Sequence, residues 1–172
     1  MDDNLGAICY PTVRFVIPRE DQIMAVRPIP EGFHTVTPYL VVQGADKLIA
    51  FLKHAFDAQE IHRTMRPDGA VMHAEIKIGD SHLMMSEGGG PFPAMPAAFY
   101  LYVKDVDAVY KQAIQAGGIS VGEPVNQFYG DRSGGVKDAF GNIWWIGTHV
   151  EDVPPEKLEK LAAEAMKQRA SQ

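Results

Sequence analysis

Slid sixty-one positions along itself, this sequence matches itself in one long stretch, and that self-match limits what the chain can fold into. Val42-Gln43-Gly44-Ala45-Asp46 overlies Val103-Lys104-Asp105-Val106-Asp107, Ala55 overlies Ala116, and Gly69 overlies Gly130. Each copy holds an apolar strand, a turn residue suited to a helix start, an amphipathic helix and then strand-like segments separated by glycine turns. A self-match at this spacing is the mark of one supersecondary module used twice. The functional site is therefore expected where the two copies meet.

In the first copy, Val36 to Gln43 reads as strand, and Ala45, Leu48, Ile49, Leu52, Ala55 and Phe56 form one helical stripe. Strands are predicted over Gln59 to Met65 and Val71 to Ile78, reversed at Pro67-Asp68-Gly69, with a third over Leu83 to Ser86. Glu87 to Ala97, with Gly88-Gly89-Gly90 and three prolines, reads as a linker that covers the site. No Lys-Ser/Thr follows those glycines, which argues against a phosphate-binding loop. The second copy opens with Ala98 to Val103, places Asp105 as N-cap, and stripes Val106, Val109, Ala113 and Ala116 along a helix ending at Gly117-Gly118. Val121 to Tyr129, Gly135 to Lys137 and Asn142 to Thr148 are its remaining strand candidates. The prediction is an α+β fold of two βαβββ modules, about 35–87 and 97–149, within a domain spanning 33–150. An N-terminal arm, 1–32, carries a strand candidate from Tyr10 to Ile17 interrupted by prolines. A helix in 151–172 carries Leu158, Leu161, Ala162, Ala165 and Met166 along one side.

Composition narrows the function classes. Sixteen Lys and Arg against twenty-two Asp and Glu give a net charge of −6, which disfavours nucleic acid and anionic membranes as partners. Cys9 is the single cysteine, so an intrachain disulfide or a Cys-x-x-Cys site is impossible and a reducing, cytoplasmic setting is expected. The acidic start Met1-Asp2-Asp3-Asn4 and the lack of a long apolar run give no sign of a signal peptide or membrane span.

Five phrases resemble the vicinal oxygen chelate superfamily, the glyoxalase, bleomycin-resistance and dioxygenase group, and within it the PhnB-like subgroup. They are Thr35 to Leu40, His73 to Asp80, Tyr102 to Asp107, Phe128 to Arg132 and Asp138 to Asn142, and the resemblance runs from about Thr35 to His149. In metal-using members, the resemblance implies one ligand near the start of each module's first strand and one on each module's last strand. Here those positions fall on Thr37, Met84, Ala98 and Trp145, the second pair lying sixty-one residues beyond the first. A divalent cation needs imidazole, carboxylate or thiolate donors, and none of the four is one. The expectation is thus no cofactor and a small-molecule ligand. The resemblance also implies a homodimer. Enzymatic activity stays open, with a glyoxalase-like lyase or a dioxygenase as the forms it would take.

Strand alternation sends His73, Glu75 and Lys77, with Val71, to one face and Met72, Ala74, Ile76 and Ile78 to the other. His73 and Glu75 are the candidate catalytic pair, able to share a proton or to help hold a divalent metal in a displaced site with His82 as third group. An ordinary structural pair is the competing reading. Tyr39, Met84, Tyr100, Tyr102 and Trp145 alternate onto the inner face, suited to a flat or apolar ligand or, alternatively, to plain packing or a dimer interface. Phe128 and Arg132 sit near the rim, where Arg132 could hold an anionic group or bridge to Asp131. His149 reads as a structural or surface histidine.

Overall fold

The structure, a computed structural model, describes residues 26–169, with side chains to 167. Cys9 and the Tyr10 to Ile17 strand candidate lie outside the described residues. The chain divides into two units between Glu31 and Gly32. Residues 26–31 are exposed and carry no helix or strand, and the described helices and strands all lie in the second unit.

Two modules of the expected kind follow one another: β1 (Tyr39–Val42), α1 (Ala45–Phe56), β2 (Gln59–Met65), β3 (Val71–Ile78) and β4 (Ser81–Glu87), then β5 (Ala98–Tyr102), α2 (Val106–Gln115), β6 (Ile119–Asn126), β7 (Asp131–Lys137) and β8 (Ile143–His149), with α3 (Pro155–Arg169) last. The sheets have matching orders, β1-β4-β3-β2 and β5-β8-β7-β6, each with its first and last strands parallel. The repeat holds down to register. Tyr39 pairs with Met84, and sixty-one residues later Tyr100 pairs with Trp145. Gly69 and Gly130, the matched turn glycines, both take the positive φ (83° and 96°) that the reversal requires.

The matched residues Glu87 and Thr148 show how the repeat conserves a task while changing its chemistry. α1 starts from Gly44, which has no side chain to cap it, and Glu87 at the end of β4 supplies the acceptors, receiving the Gly44 and Ala45 N–H groups at 2.8 and 2.9 Å. In the second module, Thr148 accepts the Val106 N–H at 3.0 Å and donates to the Val103 carbonyl at 2.9 Å, while Asp105 caps Ala108 as predicted. A carboxylate at a helix N-terminus satisfies orphan donors and complements the helix dipole.

One apolar core lies between helices and sheets and runs through both modules. Leu48, Ile49 and Leu52 of α1 are buried, as are Ile76, Met85, Val136, Trp144 and Ile146. Trp144 joins the halves: its ring stacks on Phe99 at 4.4 Å and meets Phe56, at the end of α1, at 5.2 Å. Its indole N–H donates to buried Asp138 at 2.9 Å, and the same carboxylate receives the Phe140 and Asn142 backbone N–H groups and the Asn142 side chain. Asn142 in turn accepts the Ala97 N–H, so the Asp138 to Asn142 phrase ties the linker to the core. Farther back, the linker's Met95 N–H donates to Val41 at 2.9 Å, laying this segment along the free edge of β1.

Several expected boundaries and faces need correction, beginning with the first strand, which runs only Tyr39–Val42 within the expected Val36 to Gln43. β6 stops at Asn126, leaving Phe128 and Tyr129 in a turn, and β7 starts at Asp131 instead of Gly135. Gly134 and Gly135 both lie within β7. Near the start of β3, Thr64 pairs with His73 but Met65 pairs with Val71, so Met72 is an extra residue in a bulge. That irregularity swaps the expected faces: Val71 is buried and Met72 exposed.

Candidate functional site

On the side away from its helix, each of the two sheets presents a partly solvent-exposed face, its trough face. Alternation places Tyr39, Met84, His73 and Glu75 there from the first module and Tyr100, Tyr102, Trp145, Asp131 and Ser133 from the second, while Trp144 and Ile146 point into the core. In the first module the Tyr39 and His73 rings stand 5.9 Å apart, and His73 Nε2 is 3.5 Å from Glu75 Oε1. A cavity of about 520 Å3 opens beside Tyr39, Val41 and Met72, with Phe92 of the linker on its wall.

His82 does not join His73. It pairs with Lys77, two steps along β3 from Glu75, and its ring packs against Phe33 at 4.6 Å with Nδ1 buried and without a hydrogen-bond partner among the described residues. A displaced metal site with His82 as third ligand is therefore not assembled. Among the described residues no three His, Cys, Asp or Glu side chains group closely enough to hold a metal ion.

The second module builds a network that sequence reading missed. Asp131, 3% exposed, accepts the Tyr100 and Tyr102 hydroxyls at 3.1 and 2.9 Å on one oxygen and faces His149 Nδ1 at 2.8 Å with the other. His149 Nε2 is 3.0 Å from Asp152, so each ring nitrogen faces a carboxylate. Burial raises the Asp131 carboxyl, but the bonds from His149, Tyr102 and Tyr100 outweigh it and hold the group below its ordinary value. The bond to Asp152, then that to Asp131, raises the His149 imidazole. Burial first of all lifts the Tyr100 phenol, and the bond to Asp131 lifts Tyr102. Both phenols stay protonated at neutral pH, so their O–H groups are committed donors and their oxygens remain acceptors. Asp131 and His149 are register partners on β7 and β8, a relation invisible without strand alignment.

Arg132 faces the other way. It alternates to the helix side of β7 and forms a two-pronged bond to Asp107 of α2 at 2.7 and 2.8 Å, with Asn126 nearby. Its carboxylate partner is Asp107 and not the expected Asp131. The Asp107 carboxylate raises the guanidinium and is itself lowered by it. Phe128, in the β6–β7 turn, makes its ring contact with Tyr129 at 5.2 Å.

A family model described as the Glyoxalase/Bleomycin resistance protein/Dioxygenase superfamily matches residues 32–146. The chain belongs to that superfamily. An uncharacterized protein of Mycobacterium bovis is 34% identical over 135 residues, covering 72% of this chain and 89% of the relative, and one of Mycobacterium tuberculosis is 34% identical over the same length, at 72% and 79%. Among solved structures, TioX from Micromonospora sp. ML1 superposes with a TM-score of 0.59 at 21% identity (67% of this chain, 98% of that one). The PhnB protein from Bacillus cereus superposes at 0.55 and 18% (67% and 99%). FosX from Listeria monocytogenes, complexed with Mn(II) and sulfate, superposes at 0.54 and 18% (74% and 96%). At these identities the structural likeness carries the fold alone.

The four positions that the sequence resemblance assigns to metal ligands can be weighed by donor chemistry. Thr37, two residues before β1, donates its hydroxyl to the His34 carbonyl at 3.1 Å; Ala98 opens β5; Met84 and Trp145 face the trough. A hydroxyl, a methyl, a thioether and an indole do not fit a divalent cation.

Proposed function

We propose that this superfamily member binds a small, flat organic molecule in its trough without a metal held at the four superfamily positions. The observation that carries this is the exchange at those positions: where an ion would need donors, the second module presents a part-exposed indole beside two tyrosines, and the first a thioether beside Tyr39. Such a lining suits stacking and hydrogen bonding. Exposed Tyr39, Phe92 and Tyr102 also support a homodimer, and the lone cysteine supports a reducing, cytoplasmic setting. Among the described residues no helix is long and apolar enough to cross a membrane.

The test is a thermal-shift screen of aromatic small molecules on the chelator-treated protein. A ligand at about 100 times its Kd stabilises the native state by about 2.7 kcal/mol, and the shift should persist without metal and fall on Trp145→Ala. Shifts that appear only after a divalent cation is restored would contradict the proposal. The rival reading, metal-assisted lyase or dioxygenase chemistry at His73 and Glu75, has two donors 3.5 Å apart to build on. It requires His73→Ala and Glu75→Gln to strip bound metal and turnover.

A further inference from the structure

On the trough face of the second module, side chains are missing at two places, and rings fill them. A Cβ added at Gly147 of β8 would stand 2.6 Å from the Tyr100 hydroxyl and 2.8 Å from the ring edge; one added at Gly135 of β7 would stand 2.7 Å from the six-membered ring of Trp145. Each ring therefore leans across the neighbouring strand and rests on bare backbone. The first module has Ser86 and Glu75 at the corresponding register positions, so this floor belongs to the second module alone. Tyr102 completes the surface, its ring 5.0 Å from that of Tyr100 and tilted by 46°. Tyr100 and Tyr102 also border a cavity of about 910 Å3 lined by residues of both modules.

Charge says what would stack there. The Tyr100 and Tyr102 protons are spent on Asp131, so both phenols turn acceptor lone pairs and electron-rich faces outward. The charged groups of the cluster are two carboxylates, Asp131 and Asp152, against one imidazole, so the cluster stays negative even when His149 is protonated. Arg132, the nearest guanidinium in sequence, is turned to the opposite face and held by Asp107. We propose that the Trp145–Tyr100–Tyr102 surface is a stacking platform selective for planar organic cations, with Asp131 supplying the selectivity from beneath. The inference rests on the small-molecule reading above and adds the module and the ligand class.

The test titrates the full chain at pH 8 with three probes of one ring system, N-methylquinolinium, quinoline and quinoline-2-carboxylate, following indole fluorescence and thermal shift. The expected order is cation, neutral, anion, with the cation at least about threefold tighter than quinoline. Gly147→Ala, which lifts the Tyr100 ring, should weaken cation and neutral probe alike by about tenfold. Asp131→Asn, checked for folding by circular dichroism, should erase the preference for charge and leave quinoline binding in place; Tyr102→Phe should reduce that preference if Asp131→Asn does not fold. Equal affinity for N-methylquinolinium and quinoline overturns the cation inference while the small-molecule reading stands. Absence of binding by all three, with Trp145→Ala converting a dimer to monomer in sedimentation, means that a second copy covers the platform and overturns both.

Discussion

At the residue scale, Asp131 and His149 make the clearest pH-dependent claim. Asp131 is lowered in the folded state, so its contribution is in force above its ordinary value of 3.8 and is lost as pH falls through the lower folded value. His149 is raised, so its contribution is complete below its ordinary value of 6.5 and is lost as pH rises through the higher folded value. The pair therefore stabilises most between those limits. An NMR titration of His149 should give a midpoint above 6.5, moved down by Asp131→Asn; a midpoint at or below 6.5 in the wild type contradicts the pairing. Arg132 shows why such residues resisted reading. With β7 starting at Gly135 its direction was undetermined, and only the start at Asp131 fixes the alternation that sends Asp131, Ser133 and Gly135 to the trough and Arg132 to Asp107. By contrast, the shared sheet face of Tyr39 and Met84, and of Tyr100, Tyr102 and Trp145, was legible because their strands pair without a register shift.

At the element scale, the helices and most strands were legible because their apolar periods are clean: the α1 stripe read from the sequence is buried in the fold. What failed was local. The bulge at Met72 reversed two side chains, and β7 begins four residues before Gly135, with the missing side chains of Gly134 and Gly135 leaving room for Pro124 on one face and Trp145 on the other. The cap on α1 was also hidden, since its acceptor lies forty-three residues downstream at Glu87. Glu87→Ala should cost about 1 kcal/mol of stability, read as a lowered midpoint in urea unfolding with unchanged slope. No change would mean that water serves those N–H groups equally well.

At the scale of the whole molecule, the internal repeat gave the architecture directly, but not how closely the halves depend on each other. Trp144, fully buried, touches Phe99 of its own module and Phe56 of the other and is anchored by Asp138. The paired modules should therefore unfold in one calorimetric transition, with Trp144→Ala costing about 3–5 kcal/mol. Two separable transitions, one for each module, would show the halves to be independent. Function belongs to this scale too, because the proposed metal-free binding rests on Thr37, Met84, Ala98 and Trp145, the four positions that the family resemblance assigns to metal ligands. The most direct measurement is the metal content of protein purified without chelator, by plasma mass spectrometry, in the wild type and in Thr37→Val and Met84→Leu. The account predicts well under one equivalent of any transition metal, unchanged by either substitution; one firmly held cation per chain, lost in those variants, would contradict it.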